Sequence, residues 1–252
     1  MSKRCVVNFA RGGWYPQGQA RLRDRCAELG VDFIGFGPEY PVAIPAYYDA
    51  RLNREVPEIR WPTHEVTPYA FKAFSIAEAA RRGYETVCWM DASAYPQHKL
   101  DPIFEEAERN GCWISDNYGH RTGRWSTDEC LSFMGLTREE AWETPHCSAL
   151  VCCFAVNQPH RPLFDGYPLR PPTGFDVWPA YWAIAQDGRA LRGPHKLPDY
   201  GKPGKSVEGH RHDQTVLSIL SHRAGVKFQP NGAGGLDYGR ERPEAIVAAY
   251  PP

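Results

Sequence analysis

The sequence predicts an α/β fold in a single domain spanning residues 1–252, with a mostly parallel central sheet flanked by helices. Three observations predict it. Short β-rich apolar runs alternate with segments of helical periodicity, and glycine or proline marks many of the junctions between them. The 252 residues are 42% hydrophobic and 13% aromatic, ample material for one continuous core. In such a fold ligands gather beyond the carboxyl ends of the parallel strands.

The elements follow in order. Residues 5–9 (Cys-Val-Val-Asn-Phe) read as a strand that breaks at Arg11-Gly12-Gly13, and residues 17–29 carry apolar side chains at helical spacing up to Gly30. A second strand is expected over 31–36. The stretch 37–68, rich in proline, tyrosine and charge, reads as a connecting loop with broken helix. From Pro68, the apolar positions Tyr69, Phe71, Phe74, Ile76, Ala77 and Ala80 give a helix stopped at Gly83. The strand 86–90 then ends abruptly in Asp91.

An acidic helix over 102–110 precedes a short strand, 111–115, that finishes at Asp116-Asn117. Two short helices (127–133 and 137–142), an apolar strand (148–156) and an aromatic helix (175–186) come next. Residues 191–209 hold Gly-Pro, Leu-Pro and Gly-Lys-Pro-Gly-Lys, a composition suited to a mobile loop bearing cations. A helix over 212–222 and a strand over 226–228 complete the pattern.

Bulk properties narrow the function. A net charge of -1 gives no global attraction to phosphate backbones or anionic membranes, so any anion site must be local. No apolar run approaches the ~20 residues of a membrane span. Met1-Ser2-Lys3-Arg4 leads straight into a strand instead of a signal-peptide core, which points to a cytoplasmic protein. The eight cysteines form no CxxC pair and several lie in apolar runs, so they read as buried thiols rather than disulfides or zinc ligands. There is no GxGxxG, Walker loop, GxSxG elbow or HExxH.

The chemistry-bearing residues lie at the strand ends. Asp91 is a carboxylate delivered by an apolar strand, and it needs a cation, a proton or hydrogen-bond donors. A divalent metal meets that need, as does capping of the next turn with help from Ser93. The run from Pro68 to Ser93, with Lys72 in the helix and Val87-Cys88-Trp89-Met90-Asp91-Ala92-Ser93 after it, resembles the donor-site segment of GT-A glycosyltransferases, which carry Asp-x-Asp there. The resemblance implies a single GT-A-like domain and a nucleoside-diphosphate sugar, UDP-linked, as donor. It also implies Mn²⁺ or Mg²⁺ on Asp91 and Ser93, and Lys72 as a charge beside the donor. Here Ser93 replaces the second acid, adding an oxygen without charge. On its own, Lys72 reads equally as a helix lysine with its stem over apolar neighbours.

Glu208-Gly209-His210-Arg211-His212-Asp213-Gln214-Thr215, leading into a helix, is similar to the His-Asp-Glu-Ser run of blood-group-type retaining glycosyltransferases. Gln214 stands where that group has its catalytic glutamate, and an amide cannot serve as a nucleophilic carboxylate. Asp213 is therefore the stronger catalytic candidate, accepting the acceptor's proton or orienting donor hydroxyls; its other reading is an acid favoured by the helix dipole. His210 and His212 alternate and are candidate ligands of a metal or a phosphate.

In the first loop, Asn8, Arg11, Gly12 and Trp14 are candidates for holding the nucleotide through backbone approach, a phosphate contact and base stacking. Lys202 and Lys205 have the reach to close over a diphosphate. Asp116, Asn117 and Tyr118 rank below these as sugar contacts. The acceptor hydroxyl stays open between a glycan, a small molecule, a protein and a modified DNA base. A non-catalytic nucleotide-sugar or glycan binding module of the same fold is the alternative reading, motivated by Ser93 and Gln214.

Overall fold

The computed structural model describes residues 2–38, 43–44, 47–49, 54–56, 59–61, 64–157, 173–198, 206–231, 235–238 and 245–249. In chain order these form β1 (Arg4–Phe9), α1 (Tyr15–Glu28) and β2 (Asp32–Phe36), then four short strands, β3 (Ala43–Ile44), β4 (Tyr47–Asp49), β5 (Arg54–Val56) and β6 (Ile59–Arg60). Next come α2 (Ala70–Arg81), β7 (Thr86–Met90), β8 (Ala94–Pro96), α3 (Asp101–Asn110), β9 (Cys112–Arg121), α4 (Asp128–Met134) and α5 (Arg138–Glu143). The remainder is β10 (Pro145–Ala155), α6 (Val177–Asp187), α7 (His212–Arg223), β11 (Leu236–Tyr238) and β12 (Val247–Ala249).

The fold is mixed α/β around a five-stranded sheet of order β2-β1-β7-β10-β9. β1 pairs in parallel with β2 and β7, whereas β10 runs antiparallel to both β7 and β9. Four of the five strands thus point one way, and the mostly parallel expectation needs one correction: β10 is reversed.

All five residues of β7 are buried, as befits a strand covered on both faces. Alternate side chains feed two cores. Cys5, Val7, Val87 and Trp89 join Phe74, Tyr181, Leu217 and other residues of α2, α6 and α7 on one face. Val6, Cys88 and Met90 meet Leu22, Ile103 and Phe104 of α1 and α3 on the other. Local signals start and stop the helices as the sequence indicates. Proline opens α1 and α3, a Thr137–Glu140 capping box opens α5, and Gly30 turns the chain after α1 with φ 69°. All eight cysteines are free and buried.

Three expectations change. The described parts of 37–68 contain short strands, β3 pairing with β6 and β4 with β5, in place of broken helix. The strand expected over 111–115 continues to Arg121 because β10 runs alongside it from Pro145. Asp116 and Asn117 therefore lie within a strand. Residues 226–228 are not a strand; one bridge, Ser115 to Gln229, stands there. A second sheet, β11-β12-β8, arises from strands of three residues each, too short for periodicity to reveal.

The described ends of the 191–209 segment are tied down by backbone hydrogen bonds. Leu197 N donates to Glu208 O at 2.7 Å, His210 N to Pro194 O at 2.8 Å, and Glu208 N to Arg124 O at 2.9 Å. Gly209 is pressed so close that a Cβ there would lie 2.1 Å from His195 O. Among the described residues no helix is long and apolar enough to cross a membrane.

Candidate functional site

β7 ends at Met90, and the next backbone N–H, that of Asp91, still donates to Leu150 O of β10 at 2.9 Å. This last bond fixes the Asp91 carboxylate at the carboxyl end of the strand, one third exposed. Trp89 Nε1 donates to its Oδ1 at 2.7 Å, and Lys72 Nζ stands 3.0 Å from the same oxygen. Lys72 comes from the first turn of α2, and its ammonium also lies 2.9 Å from Asp213 Oδ2 in the first turn of α7. Its third contact is a bond donated to Ala149 O at 2.8 Å. That carbonyl sits where the β10–β9 register shifts between Ser148 and Cys152, an irregularity that re-aims the strand beside the site.

Lys72 and Asp213 are shut from solvent, with side-chain exposures of 4% and 3%. Burial alone would lower the lysine's affinity for its proton, but the charges of Asp213 and Asp91 outweigh it and hold the pKa above its usual value. Burial raises the Asp213 carboxyl, with Lys72 opposing. Two carboxylates against one ammonium leave the unit with a formal charge of -1.

The unit forms the floor of a cavity of about 350 Å³. One wall is a run of rings and a guanidinium. The Tyr69 and His212 rings stack with centroids 5.2 Å apart, His212 and His195 stack at 5.8 Å, and Arg211 contacts His195 while lying over Trp125 at 4.5 Å. Tyr69 and His212 both adopt left-handed backbone, φ 62° and 46°. Such conformations cost of order 1–3 kcal/mol each for side chains of this kind and cluster at functional sites. Among the described residues no carboxylate pairs with Arg211, so the cavity wall presents a cation open to an anion. The lining also includes Asn117 and His120 of β9, the latter edge-on to Trp125 at 5.7 Å.

Burial disfavours the charged form of the histidines here. Burial pushes His210 down to about 3, and burial also lowers His212, His195 and His120.

The structure brings Lys72, Asp91, Asp213 and Gln214 together around one cavity, with His212 in its wall. Gln214 Nε2 donates to Cys147 O at 3.3 Å. His210 does not face the cavity: it is buried, and its Nε2 bonds Ala190 O at 2.9 Å, while His212 Nδ1 bonds Leu191 O at 2.8 Å. Both rings are anchored to backbone rather than shared around an ion.

The first-loop expectations divide. Asn8 is fully buried, donating to Met90 O at 2.6 Å and accepting from Gln19 Nε2 at 2.9 Å, so it ties strands together and offers a ligand nothing. Arg11 is exposed, 3.7 Å from Glu65. A Cβ on Gly12 would meet nothing within 4 Å; its φ of 66°, not close approach, is what calls for glycine. Trp14 stacks on Tyr15 at 4.7 Å, and Tyr15 is 48% exposed. The helix after the loop packs on the Asp91 turn: a Cβ on Gly18 of α1 would lie 2.3 Å from Ala92 O, in the turn that carries Ser93. Lys202 and Lys205 lie outside the described residues.

The donor set does not fit Mn²⁺ or Mg²⁺. Asp91 Oδ1 is already occupied by Trp89 and Lys72, Ser93 adds no charge, and His210 is turned away. Among the described residues no group of three or more His, Cys, Asp or Glu could hold a metal. The cation beside Asp91 is an ammonium.

No protein-family profile matches the chain, and no curated protein matches it in sequence. Among solved structures, it is similar to a glycosyltransferase involved in the glycosylation of the major capsid of PBCV-1, with a TM-score of 0.46 and 8% identity over 97% of this chain and 92% of that one.

Reading from sequence missed Tyr69, His195, Arg211 and Trp125 as parts of the site. Arg211 carried the one available signal, a guanidinium directly before His212-Asp213. The others are brought in by α2, the segment before Glu208 and the turn after β9, whose convergence no local pattern encodes.

Proposed function

We propose that this protein transfers a sugar from a nucleoside-diphosphate sugar to an acceptor hydroxyl. The observation that carries the reading is the Asp91–Lys72–Asp213 unit at the carboxyl end of β7, facing a cavity whose wall holds the open Arg211 guanidinium. Arg211 binds the diphosphate, a role for which a planar, permanently charged fork suits better than the histidines around it, whose charged form burial disfavours. At about 350 Å³ the cavity is at the small end of ligand pockets, roughly 300–1,000 Å³. It accommodates sugar and phosphate, and the base extends over the exposed Tyr15 at the start of α1.

In the reaction the acceptor oxygen bonds to the anomeric carbon as the carbon–phosphate oxygen bond breaks. The electron pair leaves on the diphosphate beside Arg211. The acceptor's proton passes to the Asp91–Lys72–Asp213 unit, whose net charge of -1 one proton neutralises. Asp213, with its raised proton affinity, holds that proton, while Asp91, the more exposed of the two, orients donor hydroxyls. Lys72 remains charged throughout and keeps the two acids apart. Gln214, bonded through its amide, positions the sugar without exchanging a proton.

The test is a thermal-shift series with UDP-glucose, UDP-galactose, UDP-N-acetylglucosamine and GDP-mannose, followed by assay of labelled-sugar transfer or hydrolysis. Stabilisation by at least one donor, lost in Asp91→Asn, together with turnover is expected. The Gln214 amide favours a second reading, a nucleotide-sugar binding module without chemistry, and binding with no release of labelled sugar would establish that one instead. No stabilisation by any donor defeats both.

A further inference from the structure

A second cavity, of about 780 Å³, lies across β9 from the first. Strand alternation makes β9 a shared partition: Asn117 lines the Asp91 cavity, and its neighbours Asp116 and Tyr118 line the other. Tyr118 has φ 51° and Gly119, next to it, φ 73°. Holding a tyrosine in this left-handed conformation is unfavourable, and here it turns a large ring outward, 51% exposed, instead of into a core. The hydrophobic effect gives no reason for that arrangement.

Around the ring stand hydrogen-bonding groups of mixed kind. Tyr118 Oη donates to Asp237 Oδ1 at 3.4 Å, and Asp237 is itself buried on β11. Asp116 Oδ2 accepts from Gly119 N at 2.8 Å and from Asn231 Nδ2 at 3.4 Å. That leaves Asn231 Oδ1 buried with no hydrogen-bond partner among the described residues. Asp116 and Asp237 outnumber the one lysine of the lining, Lys227, which disfavours a phosphate, and the cavity has no set of three ligands for a metal among the described residues. A neutral ligand suits this mixed lining, with an apolar face for the ring and hydroxyls for Asp116, Asn231, Asp237 and Lys227. Pyranose rings have that chemistry: axial C–H groups on one face and hydroxyls that both donate and accept at the rim.

We infer that the Tyr118 cavity binds a saccharide. Its position across β9 from the Asp91 cavity makes it the place where an acceptor glycan rests, a role that depends on the proposed transfer although the binding itself does not.

The test uses saturation-transfer NMR on the full chain with methyl glycosides of glucose, galactose, mannose and N-acetylglucosamine. Tyr118→Gly removes the ring, and relief of the left-handed backbone offsets the greater freedom of the unfolded chain and the lost bond to Asp237, so the variant folds. At least one glycoside is expected to bind, to lose about tenfold or more in affinity in Tyr118→Gly and in Asn231→Ala, and to keep its affinity in Asp91→Asn. No binding by any glycoside overturns the inference. So does equal binding to Tyr118→Gly, or binding lost only in Asp91→Asn, which would seat the sugar in the other cavity. Failure of donor stabilisation by nucleotide sugars is read separately and bears only on the transfer.

Discussion

Lys72 Nζ stands 2.9 Å from Asp213 Oδ2, and neither side chain reaches solvent. Removing the ammonium would leave a buried carboxylate without its counter-charge. Lys72→Met is therefore expected to lose about 3–5 kcal/mol of stability near neutral pH. The pH dependence has a definite sign. Asp213 has a folded-state pKa above its unfolded value, and without Lys72, which lowers it, it rises further. Its contribution to stability is then fullest below the unfolded pKa and is lost as pH rises through the folded one. Urea unfolding of Lys72→Met should show the deficit shrinking on acidification; a deficit that stays constant between neutral pH and pH 4 would refute the buried-charge account.

His146 and His210 give the opposite slope. Burial holds both down to about 3, against an unfolded value near 6.5. A base kept neutral in the fold stabilises above the unfolded pKa, and that stability is lost as pH falls from about 6.5 towards 3. Each histidine contributes up to about 1.4 kcal/mol per pH unit in that window. Denaturant titrations at pH 7 and pH 5 should show the parent losing stability, with a smaller loss in His146→Asn and in His210→Asn.

Arg211 is held over Trp125 and beside His195, with no carboxylate among the described residues to neutralise it. Arg211→Ala is expected to weaken UDP binding by about 10- to 100-fold, the range for loss of a charge-assisted hydrogen bond. Arg211→Lys recovers part of it, because a point charge replaces a two-pronged donor. Isothermal titration with UDP, with and without Mn²⁺, measures both, and the affinity should be the same with and without the ion.

Gly18 sits where α1 meets the turn after β7, its Cα facing Ala92 O and the Trp14 ring. Gly18→Ala forces backbone apart at the base of the Asp91 turn. A stability loss of about 1–3 kcal/mol is expected, typical of overpacking, together with weaker donor binding. Thr137→Ala, which breaks the capping box of α5 at a residue outside the lining of the Asp91 cavity, should cost about 1 kcal/mol and leave binding unchanged. A thermal melt and a UDP titration on each variant separate the two effects.

The sequence by itself determined the repeating elements and where the main strands stop. Apolar runs such as 86–90 have a period and an abrupt polar end that local chemistry enforces, so Asp91 at a strand terminus was legible. So were the cysteines as buried thiols, because they lie in those same runs. Tertiary structure alone decided what Asp91 meets. An apolar strand ending in a carboxylate requires some cation, and only the approach of α2 to α7 supplies Lys72 in place of a metal, bringing Asp213 to the same nitrogen. The reversal of β10, the extension of β9 past Asp116 and the small second sheet depend on pairing partners tens of residues away. Asn8 illustrates the limit: as a polar residue in a strand facing a loop it reads as a ligand contact, and the neighbouring Met90 carbonyl and Gln19 amide turn it into a tie within the fold. Hydrogen-bond partners are fixed by distance in space, which local periodicity does not encode.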